Sequence, residues 1–424
     1  MTEASDDRYR IRSAEILPIY DSRARQTLSV TVCTADASGT GVAPAGASRG
    51  HHEAHELRDP DGGLISACAK FRQEIAPSLL GMDCRNQVGI DQALITLDGT
   101  DDRSRLGANT LIATSMGTIA LAAASAGIPL WQYLAEAREA TEMCMPLPQI
   151  QILGGGAHAD GRLPLQDFMV VPLGAEDWPT ALSWVAEVYH AAGRLMSERG
   201  LLQGVADEGG WWPNLESCEA ALDLLVLAIE TAGRKPLDEI AISLDIAANQ
   251  FYRNGCYHVD GEALTPDTWV EKLLSWTRRY PIRMVEDPCA EDDPVNYAAF
   301  YEGFHQQGLI VGDDLVVSNG TRIRRAVKDR QINAALIKPN QVGTLTEAHE
   351  ALLSCPVPIV SARSGETEDS CIVDLALGWQ APLIKVGSIT RGERTAKWNR
   401  GLRIHQAHPM PLMRFPYPDN KSQH

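Results

Sequence analysis

Hydrophobic and polar positions alternate near the N-terminus and then give way to helical spacing. The runs "EILPIYDS" and "TLSVTVCTAD" read as short strands, the second alternating with period two before the turn residues "ASGTG". A loop rich in Gly and Ala, "APAGASRGHHEAHELRD", follows, and a helical period then runs over residues 67–80 and 109–126. Strands first and helices afterwards is an α+β pattern, and it occupies residues 1–140. From about Met145 the rhythm changes. "DFMVVPL" precedes a helical stretch at 178–199, and "EIAISLDI" precedes one at 266–279. "IRMVEDP", "LIVGDDL", "AALIKPN", "PIVSARS" and "LIKVGS" are each followed by a helix-like segment in the same way. That repetition over residues 141–405 predicts a (β/α) barrel, so the fold class is α/β with an α+β domain in front. Residues 406–424, rich in Pro, Met and His, are expected to form an extended surface tail.

At 424 residues the chain exceeds the size at which one hydrophobic core stops growing, in keeping with two domains. Hydrophobic residues make up 44% and charged residues 22%, the profile of a globular enzyme. A formal charge of −17 argues against a nucleic-acid or anionic-membrane partner, which would repel such a surface. A small anionic substrate would need local cations. Nine cysteines without a C-x-x-C pair support neither a disulfide framework nor a zinc knuckle, and a reducing cytoplasm is the simpler expectation. The opening "MTEASDDRYRIRSAEI" lacks the basic start and apolar stretch of a signal peptide. The apolar region from Thr110 to Leu130 is interrupted by Ser and Gly, which suits a helix buried between protein layers.

Barrels of this kind place functional groups at the C-terminal ends of their strands, and polar residues interrupt the apolar runs there. Asp245, Glu286 and Asp313 close three successive strand-like runs. Carboxylates gathered at one barrel mouth repel unless a cation sits among them, and Mg²⁺ is the hard ion that matches an all-oxygen set. The alternative is that each acid caps the helix that follows it. Lys338 and Lys385 lie on later strands between apolar neighbours, where burial would depress a lysine and make Lys338 a general base. Glu208, in "DEGG", is a candidate general acid on a loop that glycines free. It could equally be a surface carboxylate. His158 in "GGAHAD" could contact substrate or simply occupy a turn. Arg363 and Ser364 end a strand in a position to grip a phosphate, with structural ion pairing as the other reading.

These motifs, in order, resemble the enolase (phosphopyruvate hydratase) family. The resemblance runs from "DSR" at Asp21 through "HEAHELRD", "LDGTDDRSRLGAN", "GGAHAD", "DEGG", "LDIAA", "EDP", "VGDDL", "IKPNQVGTLTEA" and "RSGETED" to "IKVGS". It implies an N-terminal capping domain on a modified barrel beginning ββαα, assembled as a homodimer or higher oligomer. It further implies two Mg²⁺ per site, the first held by Asp245, Glu286 and Asp313 and the second brought in with substrate by Ser48. On the same resemblance Lys338 removes the proton α to a carboxylate. Glu208, partnered by Asp167, assists loss of the β-hydroxyl, and Lys385 holds the carboxylate. Arg363 and Ser364 hold the phosphate, and His158 and Gln166 line the site. The implied substrate is 2-phosphoglycerate or a related phosphorylated or phosphonylated three-carbon acid.

Several positions depart from the family pattern. Ala362 replaces a histidine, Arg49 a threonine, Ala45 a serine and Gly154 an asparagine, while Asp167 is one methylene shorter than the usual glutamate. Pro339 follows the lysine and restricts it. The changes surround the phosphate end and spare the metal ligands and the base. Ala362 makes room and Arg49 adds positive charge, so both are assigned to substrate binding. A specialised paralogue is expected, of which carboxyphosphonoenolpyruvate synthases are one kind. Drift toward a weakly catalytic homologue with a binding role is the alternative.

Overall fold

The computed structural model describes residues 7–46, 50–139 and 142–416. Strands β1 (Ser13–Tyr20), β2 (Gln26–Cys33) and β3 (Ser38–Val42) form an antiparallel sheet in that order. A helical run follows from Ile65–Lys70 through a π turn at Phe71–Ile75 to Ala76–Leu79. Helices Gln87–Asp98, Ala108–Ala126 and Leu130–Glu136 complete this part. The apolar helix Ala108–Ala126 lies against β2 and β3, and 83% of its most apolar window is buried within the protein. Gly39 and Gly41 permit the approach: a Cβ on either would collide with helix backbone at Gly117.

The rest is a closed barrel. Its first two strands are β4 (Leu147–Gly154) and β5 (Asp167–Val171). Helix Trp178–Glu198, the hairpin of β6 (Leu202–Val205) and β7 (Trp211–Pro213), and helix Cys218–Thr231 come next. Then β8 (Ala241–Asp245) enters the barrel, and a small sheet of β9 (Tyr252–Arg253), β10 (Cys256–Val259) and β11 (Glu262–Leu264) lies outside it. Strands β12 (Ile282–Glu286), β13 (Leu309–Gly312), β14 (Ala334–Ile337), β15 (Pro358–Ser361) and β16 (Leu383–Ser388) alternate with helices, and β16 pairs with β4 to close the ring. Two strands, then two helices, then β8 is the ββαα beginning that the resemblance implied. Strand β5 runs antiparallel to both neighbours, β4 and β8.

Barrel strand residues are mostly buried and apolar, so the barrel centre is a packed core; one buried polar pair, Gln149 Nε2 donating to Ser243 Oγ at 2.9 Å, lies within it, and the acids stand at the strand ends. Helix caps come from other residues than the three acids. Thr265 caps the helix Pro266–Arg279, Asp293 caps Pro294–Phe304 and Asn319 caps Gly320–Lys328. Helix capping therefore does not account for Asp245, Glu286 or Asp313.

The expected surface tail needs correction where it is described. Helix Gly392–Ala407 runs past the proposed boundary, and Met410, Leu412 and Phe415 beyond it are buried. Met145 N donates to Pro411 O at 2.9 Å and accepts, through its O, the Met413 N–H at 2.8 Å. Three apolar side chains in a Pro-rich stretch are removed from water, which outweighs the polar look of the segment.

Candidate functional site

Parallel pairing sets Glu286 beside Asp245 on β12 and β8, and Asp313 follows directly after β13. Asp167 reaches the same rim by the opposite route. It is the first residue of β5, and because β5 is antiparallel its start lies level with Asp245. Gln166, one residue earlier, donates from Nε2 to Asp245 Oδ2 at 3.1 Å. His158, Gln166, Asp167, Glu208, Asp245, Asp313, Lys338, Ala362, Arg363, Ser364 and Lys385 line one pocket, with Glu286 buried behind Lys385. Ser48 and Arg49 lie outside the described residues.

The two lysines organise the acids. Lys385 Nζ donates to Asp245 Oδ2 at 2.8 Å and to Glu286 Oε2 at 2.7 Å, while Lys338 Nζ pairs with Asp313. Burial is expected to depress Lys338, and Lys385 to join it beside metal ions; with the acids bonded directly to the ammonium groups, the balance goes the other way. Burial does oppose the charged ammonium, but Asp313 holds Lys338 above its usual range, and Asp245 with Glu286 holds Lys385 well above it. A neighbouring anion offsets desolvation. Burial and the Asp245 charge push Glu286 well up. Backbone geometry at Lys338 follows from Pro339: the lysine is extended, with φ −115° and ψ 102°, and its N–H donates to Ser318 Oγ at 2.7 Å.

On the other side of the pocket His158 is buried rather than a loose turn histidine. Its Nδ1 lies 2.8 Å from Asp167 Oδ1 and its Nε2 lies 3.8 Å from Glu208 Oε1. Burial would lower the imidazole, but the Asp167 and Glu208 charges prevail and push it up to about 9. Glu208 is buried too, so it is not a surface carboxylate. Its loop turns at Gly209, where φ is +97°, and the Gly209 carbonyl accepts from Tyr189 OH at 3.0 Å and Thr390 Oγ1 at 2.6 Å.

At the anion-gripping end, the chain from Ala45 is tied to the turn after β15 by paired backbone bonds between Ala45 and Gly365, at 2.9 and 2.8 Å. The Arg363 guanidinium reaches both oxygens of Glu53 at 3.1 to 3.2 Å and Asn340 Oδ1 at 3.0 Å. Arg394, fully buried, donates to the carbonyls of Arg363, Ser364 and Val386, which sets the backbone on which both Arg363 and Ser364 stand.

Sequence reasoning missed several of these partners. Gln151 bonds Asp167 and accepts from Gly210 N at 2.7 Å, so one amide joins β5 to the Glu208 loop. The available signal was a polar residue alternating through an otherwise apolar strand, "LPQIQILG". Glu53 and Gln341 carried no such signal, because their partners are distant in sequence.

A divalent cation fits this site. Glu286 Oε1 and Asp167 Oδ2 are buried and have no hydrogen-bond partner among the described residues, a costly state unless a cation is bound. Among the described residues, His158, Asp167 and Glu208, and Asp287, Asp313 and Asp314, each bring potential ligand atoms within 4.8 Å of one another. Lys385 bridges Asp245 and Glu286, and Lys338 rests on Asp313. Asp287 is engaged by Tyr297 OH and by the N–H groups of Asp313 and Asp314, so it braces the β13 end.

Comparison with known families gives two matches. A family model described as the enolase N-terminal domain matches residues 11–134. A second, described as the enolase C-terminal TIM barrel domain, matches residues 142–409, more than half of the chain.

Proposed function

The chain belongs to the enolase family, whose members are Mg²⁺-dependent, and from that premise we propose that it removes the proton α to a carboxylate and expels a β-hydroxyl. The substrate is 2-phosphoglycerate or a related phosphorylated or phosphonylated three-carbon acid, and the product is a phosphoenolpyruvate-like enol. The observation that carries this reading is the set of buried acids at adjacent strand ends, with two lysines among them.

Asp245, Glu286 and Asp313 would hold the first Mg²⁺, with Ser48 contributing to a second. When bound, the metal supplies positive charge that stabilises the enediolate-like anion formed as the α-proton leaves, the role the general principle assigns to such sites. Lys338 Nζ accepts that proton. Asp313, bonded to Lys338 Nζ, favours the charged lysine, and a cation held by Asp313 would weaken that hold. Lys385 stays cationic and orients the substrate carboxylate. Glu208, with His158 and Asp167 behind it, delivers a proton to the departing hydroxyl. Arg363 and Ser364 hold the phosphate or phosphonate, and Gln166 lines the pocket beside Asp245.

Specialisation is supported by Ala362, a small side chain lining the pocket directly before Arg363. A carboxyphosphonoenolpyruvate synthase is the specific form that this favours. The test is to incubate the protein with 2-phosphoglycerate and Mg²⁺, with and without a phosphonoformate-type co-substrate, and to follow the enol by its ultraviolet absorbance. Formation of an enol in either arm is expected. Absence of enol in both would remove the proposal and leave a binding role.

A further inference from the structure

Glu53 is buried and stands at a junction that none of the roles above requires. Its Oε1 accepts from Gly50 N at 3.1 Å, from Gln341 Nε2 at 3.3 Å and from Arg363 Nη2 at 3.2 Å. Its Oε2 accepts from Arg363 Nη1 at 3.1 Å and Nη2 at 3.2 Å. The pair is therefore a two-toothed fork, the geometry that fixes a guanidinium plane most firmly. Gln341 extends the network in the other direction. Its Nε2 donates to Asp313 Oδ1 at 3.0 Å as well as to Glu53, so one amide spans two carboxylates, and its Oε1 accepts from Ser318 Oγ. Ser318 Oγ in turn accepts the Lys338 N–H at 2.7 Å. Backbone bonds complete the clasp: Glu53 N donates to Gly50 O at 3.2 Å and Ala54 N to Gln341 O at 2.9 Å.

We infer that Glu53 is a positioning residue: it orients the Arg363 guanidinium toward the substrate anion and ties the Gly50–Glu53 turn to the strand ends that carry Asp313 and Lys338. The inference rests on the reading of Arg363 as the anion grip and adds how that grip is aimed. A buried ion pair contributes little net stability compared with an apolar pair of the same shape, so stability alone does not explain this one. Its position beside the pocket, joined to both ends of the site, does.

The sign of the effect separates positioning from simple charge. Glu53 is an anion close to Arg363, so by Coulomb's law alone its removal should tighten the binding of another anion. If it aims the arginine, its removal should weaken binding. Inorganic phosphate serves as the probe, measured by calorimetry on the intact protein with Mg²⁺ for wild type, Glu53→Gln, Arg363→Met and the double variant, each checked for folding by its thermal unfolding. The expected result is about tenfold to a hundredfold weaker phosphate binding in Glu53→Gln, the loss typical when a supporting partner is removed, and no further loss when that change is added to Arg363→Met. Unchanged or tighter binding in Glu53→Gln, with Arg363→Met still impaired, overturns this inference alone. Phosphate binding indifferent to Arg363→Met overturns the anion-grip reading and the inference with it. Should Glu53→Gln fail to fold, Glu53→Asp replaces it: it keeps the charge, so charge alone predicts unchanged binding, whereas withdrawing the carboxylate by one methylene is expected to weaken binding if Glu53 aims Arg363, and unchanged or tighter binding overturns the inference.

Discussion

At the strand end of the pocket, Asp245 and Glu286 end the adjacent strands β8 and β12, Asp313 and Lys338 follow β13 and β14, and Lys385 lies on β16; Lys385 pairs with Asp245 and Glu286, and Lys338 with Asp313. At the loop end, Ala362 and Arg363 follow β15, Arg363 pairs with Glu53, and Ala45 bonds to Gly365 two residues further on. Among the described residues, the departures Ala45 and Ala362 fall on the second side, and Gly154, Pro339 and Asp167 on the first. Asp167, a shortened acid on the rigid side, still meets His158. The contrast separates two tasks. Proton abstraction needs groups held within a fraction of an ångström, which strands provide, whereas substrate choice can be changed on loops without disturbing the barrel.

Lys338→Ala strikes the rigid side directly. Turnover should fall by about 10²- to 10⁴-fold, the usual contribution of a positioned base, while Mg²⁺ binding measured by calorimetry persists. Full activity in that variant would remove Lys338 from the mechanism and blur the contrast.

The histidine on that side offers a pH test. Its ordinary value is about 6.5 and the folded protein pushes it up to about 9, so the folded state holds the proton more tightly than the unfolded chain. Its contribution to stability is thus complete below about pH 6.5 and is lost as pH rises through about 9, an effect on the order of 3 kcal/mol. Denaturant unfolding of wild type and His158→Gln across that range should show the difference between them shrinking. A constant difference would mean that the imidazolium is not held by Asp167 and Glu208.

The smallest expected effect belongs to the loop side. Ala362→His combined with Arg49→Thr should move the ratio of kcat/KM values toward 2-phosphoglycerate by about tenfold, with the maximal rate on the preferred substrate little altered. An unchanged ratio would show that these departures are drift, not specificity.

Much of the rigid side was legible. Acids that end strand-like runs, and lysines flanked by aliphatic residues, mark strand ends whatever the details of packing. The charge state of those lysines was not legible, because burial is a local property while Asp313 and Glu286 approach only after the barrel closes. Asp167 illustrates a second limit. A rule for parallel barrels places functional groups at strand C-termini, and Asp167 begins its strand; only the reversed direction of β5 carries it to the rim. The end of the chain shows a third, since Pro and His in "HQAHPMPLMRF" hide three apolar side chains that the Met145 strand end recruits.

Alternation, helical period and the order of motifs determined the two-part architecture, the family and the residue types available for chemistry, because these depend on contacts within a few positions or on one residue's own side chain. Which acid faces which lysine, and that Glu53 closes on Arg363 across 310 positions, was decided by tertiary structure alone. Charge interactions fall off with distance in space, and distance along the chain says almost nothing about that until the fold is complete.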